Sequence, residues 1–282
     1  MDSTLSMATD KPSLASRAMA HPLVRIVIGI VLTFGAVPLT MLAASQLVEK
    51  PYRIAWPQLL AAVLVWCGYR LYVRRIEKRQ PLELATQGMA RGLGAGLLLG
   101  AALVTLTFAV LAALGAYRLD GINPFTVMLL VPLAELVLVG LAEEMVFRGV
   151  IFGVTERSLG SKAAIAISAL VFSLAHLPND GVSPLAIAVI VAVGVMQAAI
   201  YLATRSLWVC IGVHIAWNYC VGQVFSSSVS GHAADAGLLR GELVGNPLLT
   251  GGAFGVEGSL VALVLLAGAA AFWLRRAYAR KP

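Results

Sequence analysis

Two adjacent glutamates and an arginine one helical turn further on, Glu143, Glu144 and Arg148, stand near the end of an apolar run that begins at Phe125. Charges inside an apolar span are costly, usually paired, and mark function more often than not. Helix geometry separates the two acids. At about 100° per residue, Glu144 and Arg148 lie one turn apart on nearly the same face, in the favoured acid-then-base order. Glu143 points about 100° away from Glu144 and about 140° away from Arg148. One acid therefore has a partner on its own helix and the other does not. Glu144–Arg148 reads as a buried structural ion pair, and Glu143 as the acid left for chemistry.

Other polar residues also stand where apolar spans should not contain them: Glu135, His176, Gln197, His214 and Asn218. His214 and Asn218 are one helical turn apart and share a face. Of the four histidines in the chain, two fall in these apolar segments. A carboxylate, two imidazoles and a carboxamide that converge in one bundle interior can run hydrolysis by water. The carboxylate takes a proton from water and one imidazole helps to hold that water. The second imidazole and an amide N–H stabilise the oxyanion. Glu135 fits a cavity-lining residue and a pore-mouth acid equally, and Gln197 has no assigned role. His21 and His232 fall in a tail and a loop, where solvation is expected.

These groups must be positioned by membrane spans. The 282 residues are 59% hydrophobic and only 12% charged, which is too apolar for a soluble domain and fits an all-α polytopic transmembrane bundle. Eight spans are expected: Leu23 to Val48, Ile54 to Val73, Leu93 to Tyr117, Phe125 to Val154, Ala163 to Leu177, Leu185 to Ala203, Leu207 to Phe225, and a last one ending near Leu274. The third opens with Gly92, Gly96 and Gly100, a small-residue face that admits a close helix neighbour. The fifth is short for a full crossing. The chain divides into a cytoplasmic tail (1–22), N-terminal transmembrane helices (23–120), a catalytic core (121–228), and a loop with the last helix (229–282). The Gly- and Ser-rich loop from Ser226 to Gly258 reads as a flexible connector.

The net charge of +7 does not imply nucleic-acid binding, because the basic residues cluster between apolar runs, where they set topology. Counted over tails and alternate loops, 16 Lys and Arg fall on the side of the termini and 4 on the other. Both termini are then cytoplasmic, as in the inner membrane of a bacterium. Cys67, Cys210 and Cys220 lie in apolar runs, imply no disulfide framework, and read as small core residues. One tension remains: simple depth reckoning puts Glu143 and His176 roughly 15 Å apart along the membrane normal.

The motifs resemble the CAAX prenyl protease and bacteriocin-processing (CPBP) family of intramembrane endopeptidases. Its pattern is Glu-Glu-xxx-Arg, then Phe-xxx-His, then His-xxx-Asn on successive helices. Here these read Glu143-Glu144-Met-Val-Phe-Arg148, Phe172-Ser-Leu-Ala-His176 and His214-Ile-Ala-Trp-Asn218. The resemblance covers about Phe125 to Phe225, with weaker echoes such as Arg79-Gln-Pro-Leu82. It implies that Glu143 is the general base, that His176 shares its water, and that His214 and Asn218 form the oxyanion site. Glu144, Arg148 and Phe172 would support them. Family members are described both as metalloproteases and as metal-free glutamate proteases. If zinc is bound, Glu143, His176 and His214 are its ligands, but no His-Glu-x-x-His spacing favours it, and the metal-free reading is preferred. The implied partner is a membrane-anchored protein or peptide in the lipid bilayer, including CAAX-type prenylated tails.

Two rivals from other classes remain open. The same Glu and His set could be a relay in a proton-coupled carrier, although no internal repeat supports a carrier. A non-catalytic immunity or scaffold protein would need none of these side chains to react. A relay also has no need of Asn218 one turn from His214.

Overall fold

In hydrocarbon a backbone must satisfy its own hydrogen bonds, so apolar runs this long become helices. The computed structural model describes residues 19–233 and 236–279. Lys11 and Arg17 of the expected tail, and Lys281, lie outside the described residues. The helices are α1 (Pro22–Phe34), α2 (Ala36–Leu47), α3 (Trp56–Arg75), α4 (Met89–Ala113), α5 (Leu133–Glu144), α6 (Gly153–Ala175), α7 (Pro184–Thr204), α8 (Leu207–Tyr219), the short α9 (Pro247–Thr250) and α10 (Leu260–Ala279). Their starts are legible: α1, α3 and α7 carry Pro in the first turn. There its missing N–H costs nothing. Ser183 caps α7 by accepting from the Ala186 amide at 3.1 Å.

The protein is a multi-pass helical membrane protein. Five helical stretches are long and apolar enough to cross a membrane: Pro22–Leu47, Met89–Ala113, Pro184–Thr204, Leu207–Val224 and Leu260–Ala279. They coincide with five of the eight expected spans. The expected second span is a helix, α3, whose Arg70, Arg74 and Arg75 reduce its apolar length. The purely helical expectation also needs a correction. Strands β1 (Tyr117–Ile122) and β2 (Leu239–Leu243) pair antiparallel, Tyr117 opposite Leu243 and Ile122 opposite Leu239, with an irregularity between Leu119 and Gly121. The loop after the seventh span is therefore built rather than a plain connector.

The largest departure concerns the fourth and fifth spans. No loop separates them. A π-helical segment, Met145–Phe152, follows α5 directly and runs into α6. Within α6, Gly160 takes φ 83° and ψ 169°, a backbone region that is essentially glycine-only. The chain reverses there. Ser168 Oγ donates to the Phe147 carbonyl at 3.0 Å, and the Phe147 and Phe172 rings meet edge-on at 5.0 Å. A straight helix would hold residues 147 and 172 about 37 Å apart. Glu143 and His176 thus sit seventeen and sixteen residues from the same turn, at matching depth. The expected offset between them does not exist.

Small residues set the other close approaches. A Cβ on Gly100 would lie 2.5 Å from the Val213 carbonyl, and one on Gly212 2.5 Å from that of Leu93, so α4 and α8 touch backbone to backbone, as the glycine face predicts. Gly149, next to Arg148, leaves room for the buried Tyr69 ring, 2.5 Å from where its Cβ would be. Of the cysteines, Cys210 is buried and Cys220 partly so, whereas Cys67 is exposed on α3 rather than in the core.

One end of the bundle is held by ion pairs. Arg79 clasps Glu83 with two bonds of 2.8 and 2.9 Å, and the Tyr69 hydroxyl donates to the same carboxylate at 2.5 Å. Burial works against the Arg79 charge, yet the Glu83 carboxylate holds its pKa above the usual arginine range. Arg157 pairs with Glu77 and Arg205 with Glu156. The opposite end carries the β-ribbon and the segment to Ser259. Gly160→Ala places a Cβ in the glycine-only region at the turn that sets the register of both arms. It should cost about 1–3 kcal/mol, read as a lower thermal midpoint of the detergent-solubilised protein; an unchanged midpoint would mean that the turn does not hold this backbone.

Candidate active site

The π-helical stretch begins one residue after Glu144, and a second one, Cys220–Val224, begins shortly after Asn218. Such widened turns are rare and occur mostly at functional sites. Between them lies a cavity of about 770 Å³. Glu143 reaches it from α5, His176 from the end of α6, Gln197 from α7, and His214 and Asn218 from α8. The three sequence motifs, dispersed over 76 residues from Glu143 to Asn218, therefore share one wall.

Glu144 is the hub. It is fully buried, and its Oε1 accepts from Arg148 Nη1 at 3.2 Å, from Gln197 Nε2 at 3.2 Å and from His214 Nδ1 at 2.9 Å. Arg148, also fully buried, donates its other nitrogen to the Gly194 carbonyl at 3.4 Å. Its guanidinium carbon stands 4.7 Å over the Phe172 ring, whose other neighbour is the His176 imidazole at 4.5 Å. Phe172 is thus a spacer between a structural cation and a cavity-facing base.

Glu143 is placed differently. Its Oε2 is buried without a hydrogen-bond partner among the described residues and lies 3.8 Å from His214 Nε2. As the helix angles predict, Glu144 is paired with Arg148 on its own helix and Glu143 is not.

Both imidazoles are pinned through Nδ1. That of His214 faces the Glu144 carboxylate, and that of His176 faces the Phe172 carbonyl at 2.8 Å. Neither oxygen can donate, so Nδ1 carries the proton and each Nε2 is left to the cavity as an acceptor. This tautomer suits the holding of water, and it is also how metal-binding histidines are oriented. Among the described residues no group of three or more His, Cys, Asp or Glu is arranged to hold a metal ion.

Two participants were not assigned from sequence. Gln197 spans three helices, donating to Glu144 and, at 3.1 Å, to the Cys210 carbonyl. Its only signal was a lone amide in an apolar helix. Glu257, in the supposed connector, also lines the cavity. It accepts from Trp217 Nε1 at 2.7 Å and from both the backbone and the hydroxyl of Ser230. Glu135 and His232 line the cavity as well and are exposed.

The fold and the site define a helical membrane bundle with a polar cavity lined by carboxylates, imidazoles and carboxamides. The comparison with known proteins agrees. Residues 123–220 match the family described as Rce1-like, type II CAAX prenyl endopeptidase Rce1-like. Over these residues, about a third of the chain, the protein is similar to that family. No curated protein and no solved structure matches it.

The two glutamates should separate in a stability assay. Glu144→Ala leaves Arg148 buried without its countercharge, a loss of about 3–5 kcal/mol, and should abolish the folded, monodisperse species in detergent. Glu143→Gln removes no hydrogen bond and should keep the native thermal midpoint. Equal losses would refute the division of roles.

Proposed function

We propose that this protein is an intramembrane endopeptidase in which Glu143 activates water against a peptide bond close to a membrane anchor. The observation that carries the reading is the unpartnered Glu143 Oε2, buried 3.8 Å from His214 Nε2 in a cavity shared with His176 and Asn218. A carboxylate without a hydrogen-bond partner in a cavity, beside an imidazole, is placed to take up a water or substrate group.

Water held between Glu143 and His176 Nε2 gives one proton to Glu143 as its oxygen attacks the carbonyl carbon. The oxyanion is met by the Asn218 carboxamide and by the His214 imidazole when protonated. Its Nδ1–H bond to Glu144 stabilises that charged form, as a carboxylate does behind a catalytic histidine. Collapse of the intermediate breaks the C–N bond, and Glu143 returns its proton to the departing amine. Glu144, Arg148 and Phe172 hold the bases in register. The family match supports a CAAX-type endopeptidase in general; prenylated tails are one substrate class, and any anchored polypeptide that reaches the cavity is another.

The test compares membrane-proteome termini in cells carrying the native chain with those carrying Glu143→Gln. Termini that appear only with the native chain are expected. Identical sets would sink the protease reading and return attention to a carrier, for which a pH-dependent flux should survive Asn218→Ala but not Glu143→Gln.

A further inference from the structure

The two ends of this bundle differ in charge, and the cavity opens at only one of them. At the first end lie the turn between α3 and α4, the Gly160 reversal, the α7–α8 junction and the end of α10. With Arg25 these hold eleven described basic residues: Arg74, Arg75, Lys78, Arg79, Arg91, Arg157, Lys162, Arg205, Arg275 and Arg276 are the others. The acids there, Glu77, Glu83 and Glu156, are each paired with an arginine. At the second end the described basic residues are four, Lys50, Arg53, Arg118 and Arg240, beside Glu49, Asp120, Glu135, Asp180, Glu242 and Glu257.

The cavity belongs to the second end. Of its exposed lining, Glu135, Ala175, His232 and Ala233 lie there, with Ser230 and Glu257 beside them, while Phe34 and Val171 are exposed along the spans. Toward the first end it is closed: Met145 through Phe152 are all buried, Phe152 packs on Tyr201 at 5.4 Å, and Tyr69 fills the space at Gly149. Short loops rich in Lys and Arg are retained on the cytoplasmic side during insertion. The mouth must then face away from the cytoplasm.

We propose that the cavity is entered from the non-cytoplasmic face, and that its substrates are membrane-anchored polypeptides whose scissile segment lies on that side. The second clause rests on the protease reading; the first does not. Among the described lining residues there is no Lys or Arg, while Glu135, Glu143 and Glu257 are present. A free C-terminal carboxylate would meet three like charges, so an internal peptide bond, or a segment with basic side chains, suits this mouth better.

The experiment uses the full chain in intact bacterial cells and a membrane-impermeant maleimide. Ala233→Cys, at the mouth, and Leu248→Cys, exposed on the same end and outside the cavity lining, should be labelled without permeabilisation. Gln80→Cys, at the basic end, should be labelled only after it. The native chain, with its own cysteines, is the blank. Labelling of Leu248→Cys only after permeabilisation overturns the proposal even if Ala233→Cys does not fold. The Glu143-dependent termini supply the second arm: they should map to extracytoplasmic segments, and the reagent added outside should suppress them in Ala233→Cys but not in the native chain. Termini confined to cytoplasmic segments overturn the substrate assignment. Correct labelling with no Glu143-dependent termini refutes the protease reading and leaves the orientation standing.

Discussion

A single carboxylate oxygen, Oε1 of Glu144, fixes the geometry of this protein. Burying a carboxylate and a guanidinium costs several kcal/mol per ion unless their remaining hydrogen-bonding capacity is met. Here Oε1 is met by groups from three helices, Arg148 from the π-helical turn, Gln197 from α7 and His214 from α8, while Glu144 Oε2 and Arg148 Nε are buried without a hydrogen-bond partner among the described residues. The pair is therefore weak evidence for stability and strong evidence for arrangement. Each helix must present its donor to one atom, and none can rotate without stranding a buried charge. The same constraint turns the His214 ring, so that the group facing Glu143 is positioned by Glu144.

The hairpin around Gly160 supplies the second coordinate, depth. A reversal within one residue makes the two arms equal rulers. Positions equally far from the turn meet side by side, as Phe147 and Phe172 do. With a loop of several residues the arms could slide, and a shift of one turn, about 5.4 Å, would remove His176 from the level of Glu143. Backbone strain that only glycine can absorb thus becomes precision at a site some sixteen residues away. The π-helical turn adjusts the remaining coordinate, rotation, because one extra residue per turn changes which side chains point inward.

Much of the site was legible because its motifs are local. Spacings of four put Glu144 beside Arg148, Phe172 beside His176 and His214 beside Asn218, whatever the tertiary structure, and helix angles alone divided the two glutamates into a paired and a free acid. What was not legible is non-local. Gln197 stood out as an amide in an apolar helix, but nothing in its neighbours shows that it reaches Glu144, 53 positions away. Glu257 sits among glycines and serines, a composition that reads as a connector, and only the fold brings Trp217 and Ser230 onto its carboxylate. The β-ribbon joins segments more than a hundred residues apart. The Gly160 reversal was hidden because its flanks, Arg157 to Lys162, look like an ordinary polar loop, and the π-helical turn leaves no compositional trace.

The distribution of charge in the cavity also constrains the proposed chemistry. Arg148, the nearest permanent cation, is turned away from the lining and occupied by Glu144 and the Gly194 carbonyl. A developing oxyanion cannot rely on it. The candidate donors on the cavity wall include the Asn218 carboxamide and His214 Nε2, and the second donates only when the imidazole is charged. That charge is tolerable because Glu144 lies against the far nitrogen and Glu143 against the near one. Once Glu143 takes the proton of water it becomes neutral, and the imidazolium is left facing the oxyanion that the same step creates. In the proposed reaction a protonated His214 would face the oxyanion once Glu143 is neutral, so the site would stabilise the reacting state more than the resting one.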